Sequence, residues 1–168
     1  MSSSDNSNEF RLVEVVRFQP ELAEHFESLN RDWIEKYFVI EEADLTVFRD
    51  PFKEIVATGG EIFFAVSEGT VLGTCAVIRL NDRTYELAKM AVRAEARGHG
   101  YGDLLIESAI RFAEEAGAER LILLSNTRLQ PAIRLYEKHG FKSVPITDAH
   151  DYTRVDIQME LKLRTVNH

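Results

Sequence analysis

The stretch Val92-Arg93-Ala94-Glu95-Ala96-Arg97-Gly98-His99-Gly100-Tyr101-Gly102-Asp103 restricts the possible folds more than any other part of the sequence. It joins a strand-like run to a helical one. Three glycines in five residues let the backbone turn successive N–H groups toward a single point. Such a point favours an anion, because the helix N-terminus adds partial positive charge and Arg97 can add a full one. Phosphate or pyrophosphate suits it. Two familiar phosphate loops are excluded by spacing: Asp103 stands where Gly-x-Gly-x-x-Gly needs its last glycine, and no Gly-Lys-Ser/Thr follows.

Around this turn the hydrophobic patterns give an alternation of strands and helices. Phe10 to Phe18 is Val-rich and strand-like, ended by Gln19-Pro20. Leu22, Phe26, Leu29, Trp33 and Tyr37 then recur at spacings of three and four, which predicts a helix over 21–37, with a shorter one over 42–49. Pro51 and Gly59-Gly60 predict a loop. Three strands follow, Ile62 to Val66, Val71 to Arg79 and Tyr85 to Val92, joined by turns at Glu68-Gly69 and Asn81-Asp82. A helix from Gly102 to Ala116, a strand at Leu121 to Leu124, and a helix opened by Pro131 and closed by Gly140 come next. Strands over 141–144 and 155–163 complete the chain. The expected fold is α/β, with a mixed central sheet flanked by helices in one domain over residues 9–168, after a disordered tail over 1–8.

Composition removes several function classes. The 168 residues carry 20 Lys+Arg against 28 Asp+Glu, a formal net charge of −8, so a general nucleic-acid or anionic-membrane binder is not expected. The charge is uneven. Residues 1–60 hold 13 acidic and 6 basic side chains, a net of −7, and the remainder 15 and 14, a net of −1. One cysteine, Cys75, allows no internal disulfide, and the histidines show no metal-ligand spacing, so no metal is expected. The polar first residues do not form a signal peptide, and no run reaches the length of a membrane span. A cytoplasmic location is the expectation.

Arg97-x-x-Gly100-x-Gly102 resembles the Gln/Arg-x-x-Gly-x-Gly/Ala loop that holds the acetyl-CoA pyrophosphate in the GCN5-related N-acetyltransferase superfamily. Tyr85 to Val92 is similar to the splayed strand of that family. Residues 131–141, Pro131 to Phe141, resemble its second signature, Ala-x-x-x-Tyr-x-x-x-Gly-Phe. The resemblance covers about residues 60–145. It implies acetyl-CoA as cosubstrate, held by Met90, Ala91 and Val92 on the strand and by Arg97, Gly98, His99, Gly100, Tyr101 and Gly102 in the turn. A family Asn that approaches the pantetheine is replaced here by Leu129. Asn126 either supplies the same amide from a nearby position or stabilises a turn.

Acetyl transfer to an amine needs a neutral nucleophile, oxyanion stabilisation and a proton for the leaving thiolate. The resemblance points to Glu86 as general base. Alternate spacing predicts that Glu86, Ala88, Met90 and Val92 share one face of their strand. Glu86 could equally be a structural carboxylate paired with Lys89 or Arg79. Tyr136 occupies the position of the family's general acid, or serves as a core aromatic. Cys75 reads as a buried structural thiol, which favours direct attack over an acetyl-enzyme. Trp33 and Tyr37 wall an acceptor pocket or pack as core. His150, with Asp148 and Asp151, belongs to a late loop that can border the acceptor. The expected activity is acetylation of a small-molecule primary amine, with a cationic acceptor suited to the acidic first third. Rival readings are a non-catalytic acyl-CoA sensor and an acetyltransferase for protein lysines or N-termini. A homodimer is a reasonable expectation.

Overall fold

A computed structural model describes residues 12–147 and 150–164. The tail over 1–8, the strand start at Phe10, Asp148 and His168 lie outside them. Eleven elements follow in the predicted order. They are β1 (Val13–Arg17), α1 (Ala23–Tyr37), α2 (Glu42–Arg49), β2 (Glu61–Ser67), β3 (Thr70–Arg79), β4 (Thr84–Val92), α3 (Tyr101–Glu115), β5 (Arg120–Ser125), α4 (Gln130–Lys138), β6 (Lys142–Val144) and β7 (Ile157–Lys162).

The strands form one sheet in the order β1-β2-β3-β4-β5-β7-β6. β4 and β5 run parallel across the α3 crossover, and the other neighbours are antiparallel. The central strands are buried on both faces, which explains their nearly continuous apolar runs. On one face α3 and α4 bury Leu105, Ile106, Ala109, Ile133 and Tyr136 against Val77, Leu87 and Leu121. On the other, α1 and α2 bury Phe26, Leu29, Ile34 and Phe48 against Ile62, Phe64 and Ala76. Each large apolar side chain fully buried in this way contributes about 1.5–3 kcal/mol.

Two local features depart from the sequence pattern. The predicted loop after Pro51 contains a π-helical turn, Phe52–Val56, in which the Ala57 N–H donates to the Phe52 carbonyl at 2.7 Å. Further along, β4 carries a bulge. Thr74 pairs with Ala91 and Ala76 with Ala88, so Lys89 and Met90 together oppose Cys75, and Lys89 takes a left-handed φ of 52°. The extra residue reverses the side-chain alternation. Among the described residues, no helix is long and apolar enough to cross a membrane.

Candidate active site

β4 and β5 are paired only from Thr84↔Arg120 to Leu87↔Leu123. Beyond Leu87 they part, and a cleft of about 930 Å3 opens between them. From Ala88 to Val92 the edge of β4 that faced β5 has no strand partner among the described residues. Backbone groups in such an edge favour an extended ligand with amides of its own.

The glycine turn closes one end of this cleft. A 3-10 turn, Ala94–Ala96, delivers the chain to Arg97, and Gly98 (φ 82°) and Gly100 (φ 83°) take the left-handed conformations from which a glycine turn can offer successive N–H groups to one anion. Gly100 caps α3. Gly102 is required for a different reason: a Cβ there would lie 2.8 Å from Leu135 Cδ2 and 3.3 Å from Met90 Cε, both in the cleft wall. Arg97, Gly98, Gly100, Tyr101 and Gly102 line the cleft, as do Met90, Ala91 and Val92. His99 does not; its ring is exposed and tilted against Tyr101 at 6.0 Å. Asp103, in the first turn of α3, meets Lys138 (2.9 Å) and His139 (2.7 Å), which hold its carboxyl below the usual range and offset its charge beside the turn.

Tyr136, on α4, lines the opposite wall. It is buried, with its ring edge-on to Phe141 at 6.0 Å, and burial pushes its phenol up to about 12. Cys75 is buried behind the bulge, its thiol raised by desolvation and directed at the Leu105 carbonyl at 3.6 Å. Asn126 also lines the cleft, but its amide is engaged. Nδ2 donates to the Arg154 carbonyl (2.7 Å) and Oδ1 accepts the Arg128 N–H (2.8 Å), the geometry of a turn stabiliser.

Glu86 lines the cleft where the two strands separate. The expectation that it shares a face with Met90 and Val92 is corrected by the bulge. Glu86 and Ala88 pair with Ile78 and Ala76 on the α1–α2 side, whereas Met90 and Val92 pack toward α3. Lys89 and Ala91 therefore join Glu86, and the carboxylate stands on the opposite face from Met90 and Val92. Of the two cations considered for it, Arg79 pairs with Asp82, and Lys89, though bonded to Asp44, also feels the Glu86 charge.

The bulge also creates a charged network that the sequence reading missed. Lys89 is almost completely buried, bonded to Asp44 of α2 and, at 3.0 Å, to the Tyr152 hydroxyl. Arg154 grips the same Asp44 carboxylate with both guanidinium nitrogens (2.7 and 2.8 Å) and reaches Glu41 at 3.2 Å. Asp44 accepts the Glu41 N–H at 2.9 Å and so closes the capping box of α2. Although burial opposes ionisation, Arg154 and Lys89 lower the Asp44 carboxyl to about 2. Burial lowers Lys89, and Asp44 counters that effect. Glu41 also accepts the Thr153 N–H and hydroxyl, so the loop before β7 is fastened to α2 at the cleft. The available sequence signals were a lysine in a buried strand and an acid at the third position of an amphipathic helix.

Trp33 and Tyr37 both line the cleft, and Trp33 also packs against the α1–α2 core and donates to Asn30 at 3.1 Å. His150 and Asp151 lie at the same end. Among the described residues, no group of three His, Cys, Asp or Glu side chains is placed to hold a metal.

The model of the acetyltransferase (GNAT) family matches residues 22–141, more than half of the chain. An uncharacterised N-acetyltransferase of Schizosaccharomyces pombe is 37% identical over 76 residues, covering 45% of this chain and 47% of that protein. The chain spans about half the length of several curated relatives it matches. A GNAT-family acetyltransferase from Staphylococcus aureus has the same fold (TM-score 0.84, 17% identity, 91% of this chain and 100% of that one). So does an N-acetyltransferase from Thermoplasma acidophilum in complex with coenzyme A (TM-score 0.70, 20% identity, 90% and 99%). The parted strands, the glycine turn and the family match together make this chain a member of the GNAT acetyltransferase family.

Proposed function

We propose that the protein moves an acetyl group from acetyl-CoA to a primary amine of a small molecule, by direct attack in a ternary complex. The observation that carries this reading is the separation of β4 from β5 in a cleft lined at once by the glycine turn and by a carboxylate, Glu86. The unpartnered edge of β4 suits the amide arm of coenzyme A, and the turn with Arg97 suits its pyrophosphate. Coenzyme A in the Thermoplasma neighbour supports the same donor.

The roles follow from position. Glu86 accepts the ammonium proton, through water or directly, and frees the nitrogen lone pair. The amine nitrogen then bonds to the thioester carbonyl carbon. Backbone N–H groups between Met90 and Val92 stabilise the oxyanion; its collapse breaks the C–S bond, and the second proton that the nitrogen sheds as the amide forms passes through water to the departing thiolate. At a pKa of about 12, Tyr136 keeps its proton through the neutral range. Full transfer to a thiolate, whose thiol ordinarily titrates near 8.5, is uphill, so Tyr136 acts by donating a hydrogen bond to the departing sulfur. Loop residues Tyr152 to Arg154, fastened to Glu41 and Asp44, wall the acceptor end. A walled acceptor end suits a small molecule better than a folded protein.

Thiol release with acetyl-CoA and a panel of amines, beside calorimetric acetyl-CoA binding, tests the reading. Glu86→Gln should lower kcat by about a hundredfold or more with acetyl-CoA affinity unchanged. Binding without thiol release from any amine, peptides with a lysine or a free N-terminus included, would instead identify an acyl-CoA sensor, and release with the peptides alone would identify a protein acetyltransferase.

A further inference from the structure

The acceptor end of the cleft has a chemistry of its own. Its wall is formed by partly exposed Trp33, Tyr37, Phe38, Val47, Ile78 and Tyr152, from α1, α2, β3 and the loop before β7. Trp33 and Phe38 meet edge to face at 6.4 Å, which presents one ring face and one ring edge. Two cations adjoin this wall, and both are already matched. Lys89 is bonded to Asp44, and Arg154 to Asp44 and Glu41. Aromatic rings also cover them: the Arg154 guanidinium lies 4.5 Å from the centre of Tyr152 and 5.8 Å from that of Trp33, and Lys89 Nζ lies 4.4 Å from the centre of Tyr152. Both cations reach the cleft surface, but with their charges matched by carboxylates and their flanks covered by rings they offer it little uncompensated positive charge.

That arrangement disfavours an acceptor carrying a carboxylate. Placing a carboxylate against this wall would strip its water without supplying a fresh cation, and a second ammonium would be desolvated in the same way. Among the described residues Arg128, at the rim, is an exposed alternative, as is His150 when protonated. Arg128 lies over Phe38 at 5.3 Å and donates to the Tyr37 carbonyl at 3.3 Å. Apolar surface, by contrast, gains from burial here at about 25 cal/mol per Å2. Glu86 and half-buried Glu54 supply carboxylates in the same part of the cleft, suited to a single ammonium group.

We propose that the acceptor is a primary amine carried on an apolar body, aryl or alkyl, which lies against the Trp33–Phe38–Tyr152 wall with its nitrogen toward Glu86. This inference rests on the acetyl-transfer reading and narrows it to one class of amine. Trp33 is the sole tryptophan in the chain, so its fluorescence reports binding at this wall without any turnover.

The experiment measures kcat/KM by thiol release with acetyl-CoA and 2-phenylethylamine, n-hexylamine, spermidine, glycine or aspartate, together with Trp33 fluorescence titrated with 2-phenylethylamine. The two apolar amines should exceed spermidine, glycine and aspartate by on the order of tenfold or more, and 2-phenylethylamine should change the fluorescence saturably. Trp33→Leu should raise KM for 2-phenylethylamine about tenfold, with kcat and the KM for acetyl-CoA little changed. Higher kcat/KM with aspartate or spermidine would overturn the apolar-acceptor proposal while leaving acetyl transfer intact. A fluorescence signal unmoved by 2-phenylethylamine would overturn it independently of turnover. Thiol release from none of the five, with acetyl-CoA still bound, would overturn the apolar-acceptor proposal, whereas the acetyl-transfer reading falls only if no amine of the wider panel releases thiol.

Discussion

Tyr136 joins packing and chemistry in one side chain. Its ring completes the core between α4 and β5, so most of its burial would survive removal of the hydroxyl. That makes Tyr136→Phe a clean probe of the hydrogen bond alone. The variant should keep its melting temperature within about 3 °C and its acetyl-CoA KM within about twofold. Its kcat should fall by about ten- to a hundredfold, because an uncompensated thiolate is a poor leaving group at neutral pH. Steady-state kinetics beside a thermal melt separates the two effects, and an unchanged kcat would assign Tyr136 to the core only. Burial, invisible from the Tyr136 position alone, raises this phenol, and in the proposed mechanism that favours hydrogen-bond donation over the proton transfer of a general acid.

At the scale of elements, β4 shows which features a sequence reveals. The order of strands and helices was legible because hydrophobic period and turn residues act locally. The same holds for the glycine turn, where left-handed backbone at Gly98 and Gly100 has an unmistakable residue preference. The bulge was not legible. Lys89 has no local preference for a positive φ, and what fixes it is Asp44, 45 residues away, and Tyr152, 63 residues away. Strict alternation consequently put Glu86 on the wrong face. The network that holds the bulge has a measurable acid limit. Asp44 has a folded pKa of about 2 against an ordinary 3.8, so its contribution is present above 3.8 and is lost as pH falls through 2. Denaturant unfolding should lose about 2 kcal/mol from this group between pH 5 and pH 2. Asp44→Asn should remove that slope and, at pH 7, cost about 3–5 kcal/mol by leaving Lys89 and Arg154 buried without their shared anion. An acid slope that survives in Asp44→Asn would place the sensitivity in another carboxylate.

For the whole molecule, the uneven charge acquires a different meaning once the chain is folded. The net −7 of residues 1–60 suggested a field drawing cations toward the acceptor end. The cations of that segment are already inside the sum, with Arg31 paired to Glu27 and Glu35 and Arg49 to Glu42, so only charges from elsewhere in the chain can reduce it. Lys89 and Arg154, from the nearly neutral remainder of the chain, cross over to Asp44 and Glu41. The acidic excess thus serves in part to fasten the two parts of the fold around the cleft. With the field reduced and an aromatic wall behind it, capture of an amine should depend on burial more than on long-range attraction. The kcat/KM for 2-phenylethylamine should accordingly change by less than about threefold between roughly 50 and 500 mM salt, where the Debye length contracts several-fold. Glu35→Gln and Glu42→Gln, both exposed, should leave it unchanged. Glu41 does not belong in that comparison, because it holds Thr153 and Arg154, and neutralising it would loosen the acceptor wall itself. A fall of about tenfold with salt, reproduced by Glu35→Gln and Glu42→Gln at low salt, would show that attraction by the acidic helices governs capture after all.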